Sequence, residues 1–225
     1  MSTITRIESS PDLVEQVRAR LLDAICDGSL APGARLTQEE LATSLNVSRQ
    51  PVLQALRLLK NGGFVIDAGR RGLMVAPLDG AMIERVYAVR AVLDGLAARL
   101  AAGRKARLDH ALIDAGRKAA AGSRLAPMID ADMRFHHALY AAADNAFIAE
   151  SAERHWQHIR RAMGAVLRVA STRTSVWDEH EAILRAVARG DAARAERLAR
   201  AHGEEAGRNL AARLEQAAVK PAKAS

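Results

Sequence analysis

The chain of 225 residues is 49% apolar and 26% charged, a balance that allows a buried core and excludes global disorder. It contains no apolar run near the roughly 18–20 residues of a membrane span and no signal-peptide core in residues 1–11. Its one cysteine, Cys26, excludes a disulfide framework. We therefore expect a soluble cytoplasmic protein with no membrane partner.

The positive charge at the front of the chain is concentrated in one stretch. The whole chain has 33 basic and 26 acidic residues, a net charge of +7. Residues 1–43 carry four basic and seven acidic side chains, whereas residues 44–78 carry five basic and one acidic. A basic stretch is typical of a protein that binds nucleic acid or another anion. The alternative is an arginine- and alanine-rich composition without a functional meaning.

The front of the chain has the pattern of three helices and a β-hairpin. Thr37 forms a capping box with Glu40 at the start of the second helix, and the hairpin has two arginines at its tip. The predicted elements are helices over 11–27, from Thr37, and from Ser48 to Asn61, and strands over 64–66 and 73–75. Helices joined by a tight turn and followed by a basic hairpin form the layout of a winged helix-turn-helix.

The third helix has one apolar face and one basic face. The apolar stripe consists of Val52, Ala55, Leu56 and Leu59, and we expect it to pack inward. The opposite face consists of Arg49, Leu53, Arg57 and Lys60. At the helix N-terminus, side chains reach base edges in the major groove, and a basic hairpin tip suits phosphate or the minor groove. The alternative is a solvated charged face.

Several motifs in this region resemble the DNA-binding domain of GntR-type bacterial transcription regulators. They are Gly28 to Leu36 (G-x-L-x-P-G-x-R-L), Glu40 to Ala42, Val47 to Val52 (V-S-R-x-P-V) and Ala55-Leu56. The resemblance implies a winged helix-turn-helix domain over residues 1–77 that reads a palindromic double-stranded DNA operator. Leu53 replaces a family arginine that often touches DNA, so that contact is not carried over. The candidate DNA-binding residues are Arg35, Ser48, Arg49, Gln50, Arg57, Arg70 and Arg71.

Residues 78–216 are helical in pattern nearly throughout. The predicted helices are 79–102, 106–121, 125–143, 146–169, 174–189 and 191–216. The fold class is therefore mainly α: a winged helix-turn-helix of three helices and a β-hairpin, followed by an all-α antiparallel bundle of about six helices. The tail, residues 217–225, is rich in alanine and lysine, and we expect it to be disordered.

Four residues of the helical region have the spacing of a metal site. Asp132 and His136 are four residues apart and share one helix face. His180 and His202 flank the bend at 190–191, each roughly 15–17 Å from it at about 1.5 Å per residue, and so lie at one level of a helical hairpin. The alternative is a set of structural histidines, and helix lengths alone do not show whether the two pairs meet.

The same residues resemble the all-helical effector domain called FCD, found in the FadR-like branch of GntR regulators. The similar segments are Asp132 to His136, Asn145, Glu179 to Ile183, and His202, in a domain that would cover residues 80–215. The resemblance implies a divalent metal ion bound by Asp132, His136, His180 and His202. Three imidazoles and a carboxylate suit Zn, Ni, Mn or Fe, and they leave coordination positions open for a ligand.

Three further residues are candidates for binding the effector. The run from Arg90 to Asp94 resembles the R-x-x-L-E motif of the FCD domain, whose arginine often faces the ligand cavity; the alternative is a surface salt bridge between Arg90 and Asp94. Arg134 lies between two proposed metal ligands in the sequence and ranks below Arg90. Trp177 shares a helix face with His180 and would wall the cavity, or else would be part of the core.

These features predict a homodimeric transcription regulator whose domain over residues 78–216 binds the effector and dimerises. A small carboxylate such as an organic or sugar acid would bind at the metal and release a repressor from its operator. An alternative is a metal-dependent enzyme acting on a small carboxylate, and a third reading is nonspecific nucleoid binding. We find no H-E-x-x-H, nucleophile, Walker or dinucleotide motif, and so we expect no enzyme.

Overall fold

The structure is a computed structural model that describes residues 13–69, 72–166 and 175–219. Its contacts divide the chain into two units, residues 1–77 and 78–225. Each unit has its own hydrophobic core. No helix among the described residues is long and apolar enough to cross a membrane.

The front unit combines three helices with a small antiparallel sheet. The elements are α1 Leu13–Asp27, β1 Arg35–Leu36, α2 Gln38–Leu45, α3 Arg49–Asn61, β2 Val65–Asp67 and β3 Leu73–Val75. The strand order is β1-β3-β2, so β1 adds a third strand to the predicted hairpin. The sequence did not predict β1 because two residues are too few to show an alternating pattern.

Helices α2 and α3 begin where the sequence predicts, but only α2 has a side-chain capping bond at its N-terminus. The Thr37 side chain accepts a hydrogen bond from the backbone N–H of Glu40 at 3.3 Å and donates its own hydroxyl proton to the Glu40 carboxylate at 2.6 Å. Ser48 occupies the N-cap position of α3 without a side-chain capping bond. The predicted stripe of α3 is fully buried in the core of this unit, which leaves the basic face outside.

The back unit is all helical. Its helices are α4 Gly80–Gly103, α5 Ala111–Ala121, α6 Leu125–Ala143, α7 Ala146–Val166, α8 Ser175–Arg189 and α9 Ala192–Val219. Helix α5 starts five residues later than predicted because Lys105 has a left-handed backbone, with φ 51°, and because the Asp109 carboxylate accepts the N–H of Ala111. Helix α9 continues three residues beyond the predicted end, to Val219. The predicted helix segments at 167–169 and 174 lie outside the described residues.

Helices α4 and α9 pack closely because glycines replace side chains between them. A Cβ on Gly203 would lie 3.0 Å from the Cβ of Ala91, and a Cβ on Gly207 would lie 2.6 Å from that of Tyr87. Real Cβ atoms essentially never show a contact of 2.6 Å, and a contact of 3.0 Å is tighter than nine in ten of theirs. This packing brings the buried middle of α4 beside the segment of α9 that carries His202.

Candidate metal centre and DNA-binding surface

The four predicted metal ligands meet in the core of the back unit. Helix α6 supplies Asp132 and His136 one turn apart, α8 supplies His180, and α9 supplies His202. One potential ligand atom from each lies within 4.8 Å of the others. The Nε2 of His180 is 3.1 Å from the Nε2 of His202 and 3.6 Å from Oδ1 of Asp132, and the Nε2 of His136 is 3.9 Å from the same oxygen.

These separations and the donor chemistry fit a divalent cation. Bonds of about 2.1 Å would place adjacent ligands of an octahedral ion ~3.0 Å apart and opposite ligands ~4.2 Å apart. Two Nε2 lone pairs at 3.1 Å repel each other unless a proton or a cation lies between them. The buried Nε2 of His136 has no hydrogen-bond partner in the part of the chain that the structure describes, as expected of an atom that serves as a metal ligand.

Two carboxylates lie against two of these imidazoles. Oε2 of Glu179 lies 2.7 Å from Nδ1 of His202, and Oδ2 of Asp94 lies 3.4 Å from Nδ1 of His136. A histidine that presents its Nδ1 proton to a carboxylate keeps the Nε2 lone pair for a metal. Sequence reasoning did not assign this role to either carboxylate, although both stood in the motifs that carried the resemblance.

Burial favours the neutral form of His136 and His180, which is the form that binds a metal. Desolvation, helped by the neighbouring imidazoles and Arg90, lowers the pKa of His180 well below its ordinary value. Burial and the positive charge of Arg90 also lower the pKa of His136. Burial alone would raise the pKa of Asp94, but Arg90 and His136 outweigh it, and the pKa falls well below the usual range. His136 and His180 are therefore held in the neutral form beside the ionised carboxylate of Asp94.

A cavity of about 350 Å³ opens beside the four ligands, with Asp132 and His202 in its lining. Arg90 lines it too, with only 2% of its side chain exposed. Its Nε is 3.3 Å from Oδ2 of Asp94, and its guanidinium lies 4.0 Å from the ring centroid of Trp156. The Arg90–Asp94 pair exists, but it is buried rather than on the surface. Among the described residues, Nη2 of Arg90 has no hydrogen-bond partner, so this buried cation has capacity for an anion.

The other two effector candidates differ from each other. Trp177 lines the cavity, packs edge-on against His180 at 4.7 Å between centroids, and belongs to the core. Trp177 is therefore both a wall of the cavity and a residue of the core, the two alternatives that the sequence left open. Arg134 is exposed and lines a separate groove between α5 and α6. Arg134 is absent from the described lining of the cavity, in keeping with its place two residues from Asp132, about 200° around the helix and on the same face as neither proposed ligand of α6.

The basic face of the front unit is exposed as predicted. Arg35, Ser48, Arg49, Gln50 and Arg57 are all exposed. Arg35 and Arg49 line one shallow groove, whose other side is formed by residues at the base of the hairpin tip. Nη2 of Arg49 pairs with Oε1 of Glu39 at 2.7 Å, and both side chains are largely in solvent, so the pair can exchange for a phosphate or base.

Two remaining candidates for DNA binding, Arg70 and Arg71, lie outside the described residues. Leu53, the residue that departs from the family pattern, is partly buried on α3.

Two family models match this chain in succession. Residues 13–75 match the bacterial regulatory proteins of the gntR family, and residues 85–205 match the FCD domain. The chain belongs to the GntR family of regulators with an FCD domain. Regulators of this family bind DNA operators and small-molecule effectors.

Individual relatives of this GntR regulator agree with the assignment. A Paenarthrobacter nicotinovorans protein, named as a D-xylose utilization operon transcriptional repressor, is 30% identical over 188 residues, which are 80% of each chain. The HTH-type transcriptional regulator YdhC of Bacillus subtilis is 33% identical over 81 residues, but that match spans only 36% of either protein. The structure of Escherichia coli McbR/YncC superimposes with a TM-score of 0.72 at 20% identity, covering 94% of this chain and all of the other, and shows the shared fold.

These findings make the chain a DNA-binding transcription regulator and not an enzyme. The predicted fold class is confirmed: a winged helix-turn-helix followed by six described helices of an all-α unit.

Proposed function

We propose that this regulator is a homodimeric repressor that a small carboxylate releases from a palindromic operator, through a metal site in the back unit. One observation carries the proposal. A buried cluster of one carboxylate and three imidazoles lies beside a cavity that also contains a buried arginine with an unused donor, counted among the described residues. Such a cluster binds a cation, and the cation together with the arginine attracts an anion.

Asp132, His136, His180 and His202 would hold the ion, which supplies a Lewis-acid centre with open positions for a carboxylate. Arg90 would receive the same anion through a charge-assisted hydrogen bond from Nη2. Glu179 and Asp94 would hold the imidazoles of His202 and His136 in the orientation that the ion needs. Zn, Ni, Mn and Fe all suit this donor set.

The DNA contacts are proposed for the exposed face of the front unit. Arg49 and Gln50, at the N-terminus of α3, would reach base edges in the major groove, while Ser48 and Arg57 would flank them. Arg35, which lines the same shallow groove of the protein as Arg49, would contact a DNA phosphate. Arg70 and Arg71 are proposed for the phosphate or the minor groove because they stand at the tip of the hairpin in the sequence.

The homodimer is supported by an apolar strip on α4. Val89 and Val92 are each 50% exposed, whereas most large apolar residues of this unit are buried. Such residues on one face of a helix favour contact with a second copy. Dimerisation through residues 78–216 predicts that a fragment of residues 77–225 sediments as a dimer at micromolar concentration. A monomeric fragment would move the dimer contact to the front unit.

The repressor sense is supported by the name of the Paenarthrobacter relative alone. The test uses protein purified without a His-tag. Elemental analysis measures the metal, calorimetry measures carboxylate binding before and after chelation, and a gel shift compares the chain's own upstream DNA with random competitor. We expect a bound divalent ion, carboxylate binding that chelation abolishes, and operator release by the acid. Metal-free protein that binds acids equally well with chelator would make the four ligands structural.

A further inference from the structure

We infer that Glu39 is a specificity-determining residue of the DNA-binding surface, because its carboxylate directs the guanidinium of Arg49 towards a base edge and disfavours its pairing with a DNA phosphate. This role rests on the proposed contact between Arg49 and a base. Glu39 is acidic and lies on α2, outside the set of residues proposed above for DNA binding. Three features support the role: the turn that brings the two residues together, the place of Arg49 on α3, and the charges of the basic face.

A tight turn brings Glu39 of α2 beside Arg49 of α3. Asn46 follows α2 with a left-handed backbone, φ 52°, and the N–H groups of Asn46 and Val47 donate to carbonyls of the last turns of α2. Across this turn, Oε1 of Glu39 lies 2.7 Å from Nη2 of Arg49. Backbone hydrogen bonds therefore fix how far apart the two residues stand, and the ion pair gives the long arginine side chain a preferred direction.

Arg49 is the first residue of α3, a position at which its own helix does not stabilise a cation. The N-terminus of a helix carries a partial positive charge. The first turn of α3 contains no acidic residue, and the Ser48 side chain makes no capping bond. The carboxylate that balances Arg49 comes instead from the first turn of α2, where the helix dipole stabilises the negative charge of Glu39.

The pair with Glu39 leaves Arg49 able to read a base. A guanidinium has five N–H donors, and Glu39 contacts only one of its nitrogens. The remaining donors suffice for a bidentate contact with O6 and N7 of a guanine in the major groove. A phosphate differs because it brings a second negative charge towards Glu39, and like charges at close range repel each other. Glu39 therefore tolerates the base contact and opposes the phosphate contact.

Carboxylates already neutralise part of the basic face. Nζ of Lys60 lies 2.7 and 2.8 Å from the two carboxylate oxygens of Asp67 on β2, so a second cation of this face is paired as Arg49 is. Arg57 forms no ion pair in the part of the chain that the structure describes. Attraction to phosphate in general is sequence-independent. A face with two of its three cations paired gives up part of that attraction, which raises the share of operator affinity that comes from base contacts.

The experiment compares Glu39→Gln with Glu40→Gln in the full-length protein by fluorescence anisotropy. The probes are a duplex that the wild-type protein selects from a random library and a random duplex of equal length, at one salt concentration. Glu40→Gln is the matched control because it removes the same charge from the next residue, which is also exposed. The Glu40 carboxylate bonds Thr37 rather than Arg49, and glutamine also suits that capping box.

Both variants should bind the random duplex about two- to five-fold more tightly, because each loses one negative charge near the phosphates. Glu39→Gln should also lose the fixed direction of Arg49, which weakens binding to the selected duplex by roughly two- to ten-fold. The ratio of selected to random affinity should therefore fall by roughly two- to ten-fold in Glu39→Gln and keep its wild-type value in Glu40→Gln. A ratio that does not fall in Glu39→Gln, or that falls equally in Glu40→Gln, would overturn the inference.

Single base-pair substitutions in the selected duplex show which position the pair reads. Arg49→Ala and Glu39→Gln should relax discrimination at the same base pair. In an Arg49→Ala background, Glu39→Gln should have no further effect on the ratio of affinities, because the side chain that it directs is gone. Relaxation at a different base pair, or additive losses in the double variant, would contradict the role of Glu39.

The contact of Arg49 and the role of Glu39 are distinguished by the same measurements. If Arg49→Ala leaves discrimination intact at every base pair, the proposed base contact of Arg49 is wrong, and the role of Glu39 falls with it. If Arg49→Ala relaxes one base pair and Glu39→Gln relaxes none, the base contact stands and only the role of Glu39 is refuted.

Discussion

Neutralising Asp94 should destabilise the back unit strongly, because this carboxylate compensates a buried cation. Asp94→Asn keeps the volume of the side chain but removes the negative charge beside Arg90. Both side chains are buried, at 0% and 2% exposure. Asp94 also accepts a hydrogen bond of 2.5 Å from the Tyr140 hydroxyl and faces Nδ1 of His136. Removing one partner of a buried ion pair costs about 3–5 kcal/mol of unfolding free energy.

Urea unfolding followed by tryptophan fluorescence measures this effect in the full-length protein. Both tryptophans of the chain, Trp156 and Trp177, lie in the back unit, so their emission reports on that unit. The matched control is Asp144→Asn, which removes the exposed partner of Arg104 and keeps a residue that tolerates the left-handed backbone there. The control should cost less than about 1 kcal/mol.

A double-mutant cycle and a pH series test the reason for this loss. Arg90→Met alone leaves the carboxylate unpaired, whereas Arg90→Met combined with Asp94→Asn removes both charges and should cost less than the sum of the two single changes. The pKa of Asp94 is lowered in the folded state, so its contribution is present above the unfolded value of about 3.9 and declines as pH falls below it. The reasoning would be refuted if Asp94→Asn lost no more unfolding free energy than Asp144→Asn, or if the losses of the two single variants were additive in the double variant. It would also be refuted if the stability difference between wild type and Asp94→Asn grew as the pH fell.

Three further outcomes follow from the site and the DNA-binding face. Glu179→Ala should weaken zinc binding about 10–100-fold in a chelator competition assay. Zinc affinity should recover in part in Glu179→Gln and stay unchanged in the exposed control Glu204→Ala, whereas wild-type affinity in Glu179→Ala would exclude a positioning role for Glu179. Gly116→Ala would place a Cβ 2.1 Å from the Trp177 ring, so urea unfolding should show a loss of at least about 2 kcal/mol, and an unchanged midpoint would contradict that packing. Arg49→Ala should weaken specific operator binding by ~1–3 kcal/mol in a gel shift while nonspecific binding persists, and normal operator affinity would mean that α3 is not the recognition helix.

Periodicity and capping predicted most of the fold because they act over a few residues. The apolar stripe of α3 is visible at three- and four-residue spacing, and the same spacing buries it in the structure. Helix starts at Thr37 and Ser48 depend on neighbouring residues only. The late start of α5 escaped prediction because a single left-handed residue, Lys105, redirects the chain where the composition remains that of a good helix.

The four proposed metal ligands show how far local spacing can bring candidate residues together. Asp132 and His136 are predicted to be neighbours because they are one helical turn apart. His180 and His202 are predicted to lie at the same height of a helical hairpin because they are nearly the same number of residues from its bend. The meeting of the two pairs depends on how α6 packs against the last two helices, which no local pattern encodes. The close packing of α4 against α9 does leave a sign in the sequence, because glycines such as Gly203 stand where a side chain would keep the two helices apart.

The orienting carboxylates could not be found by spacing, because their partners are distant in sequence. Asp94 faces His136 from α4, and Glu179 faces His202 from a neighbouring helix. Sequence proximity suggested instead that Asp94 pairs with Arg90 at the surface. The structure keeps that pair and buries it, so one carboxylate oxygen contacts both the guanidinium and the imidazole. An anion that binds Arg90 would therefore act beside the same oxygen that contacts a proposed metal ligand, which gives a direct physical reason to expect that metal binding and carboxylate binding depend on each other.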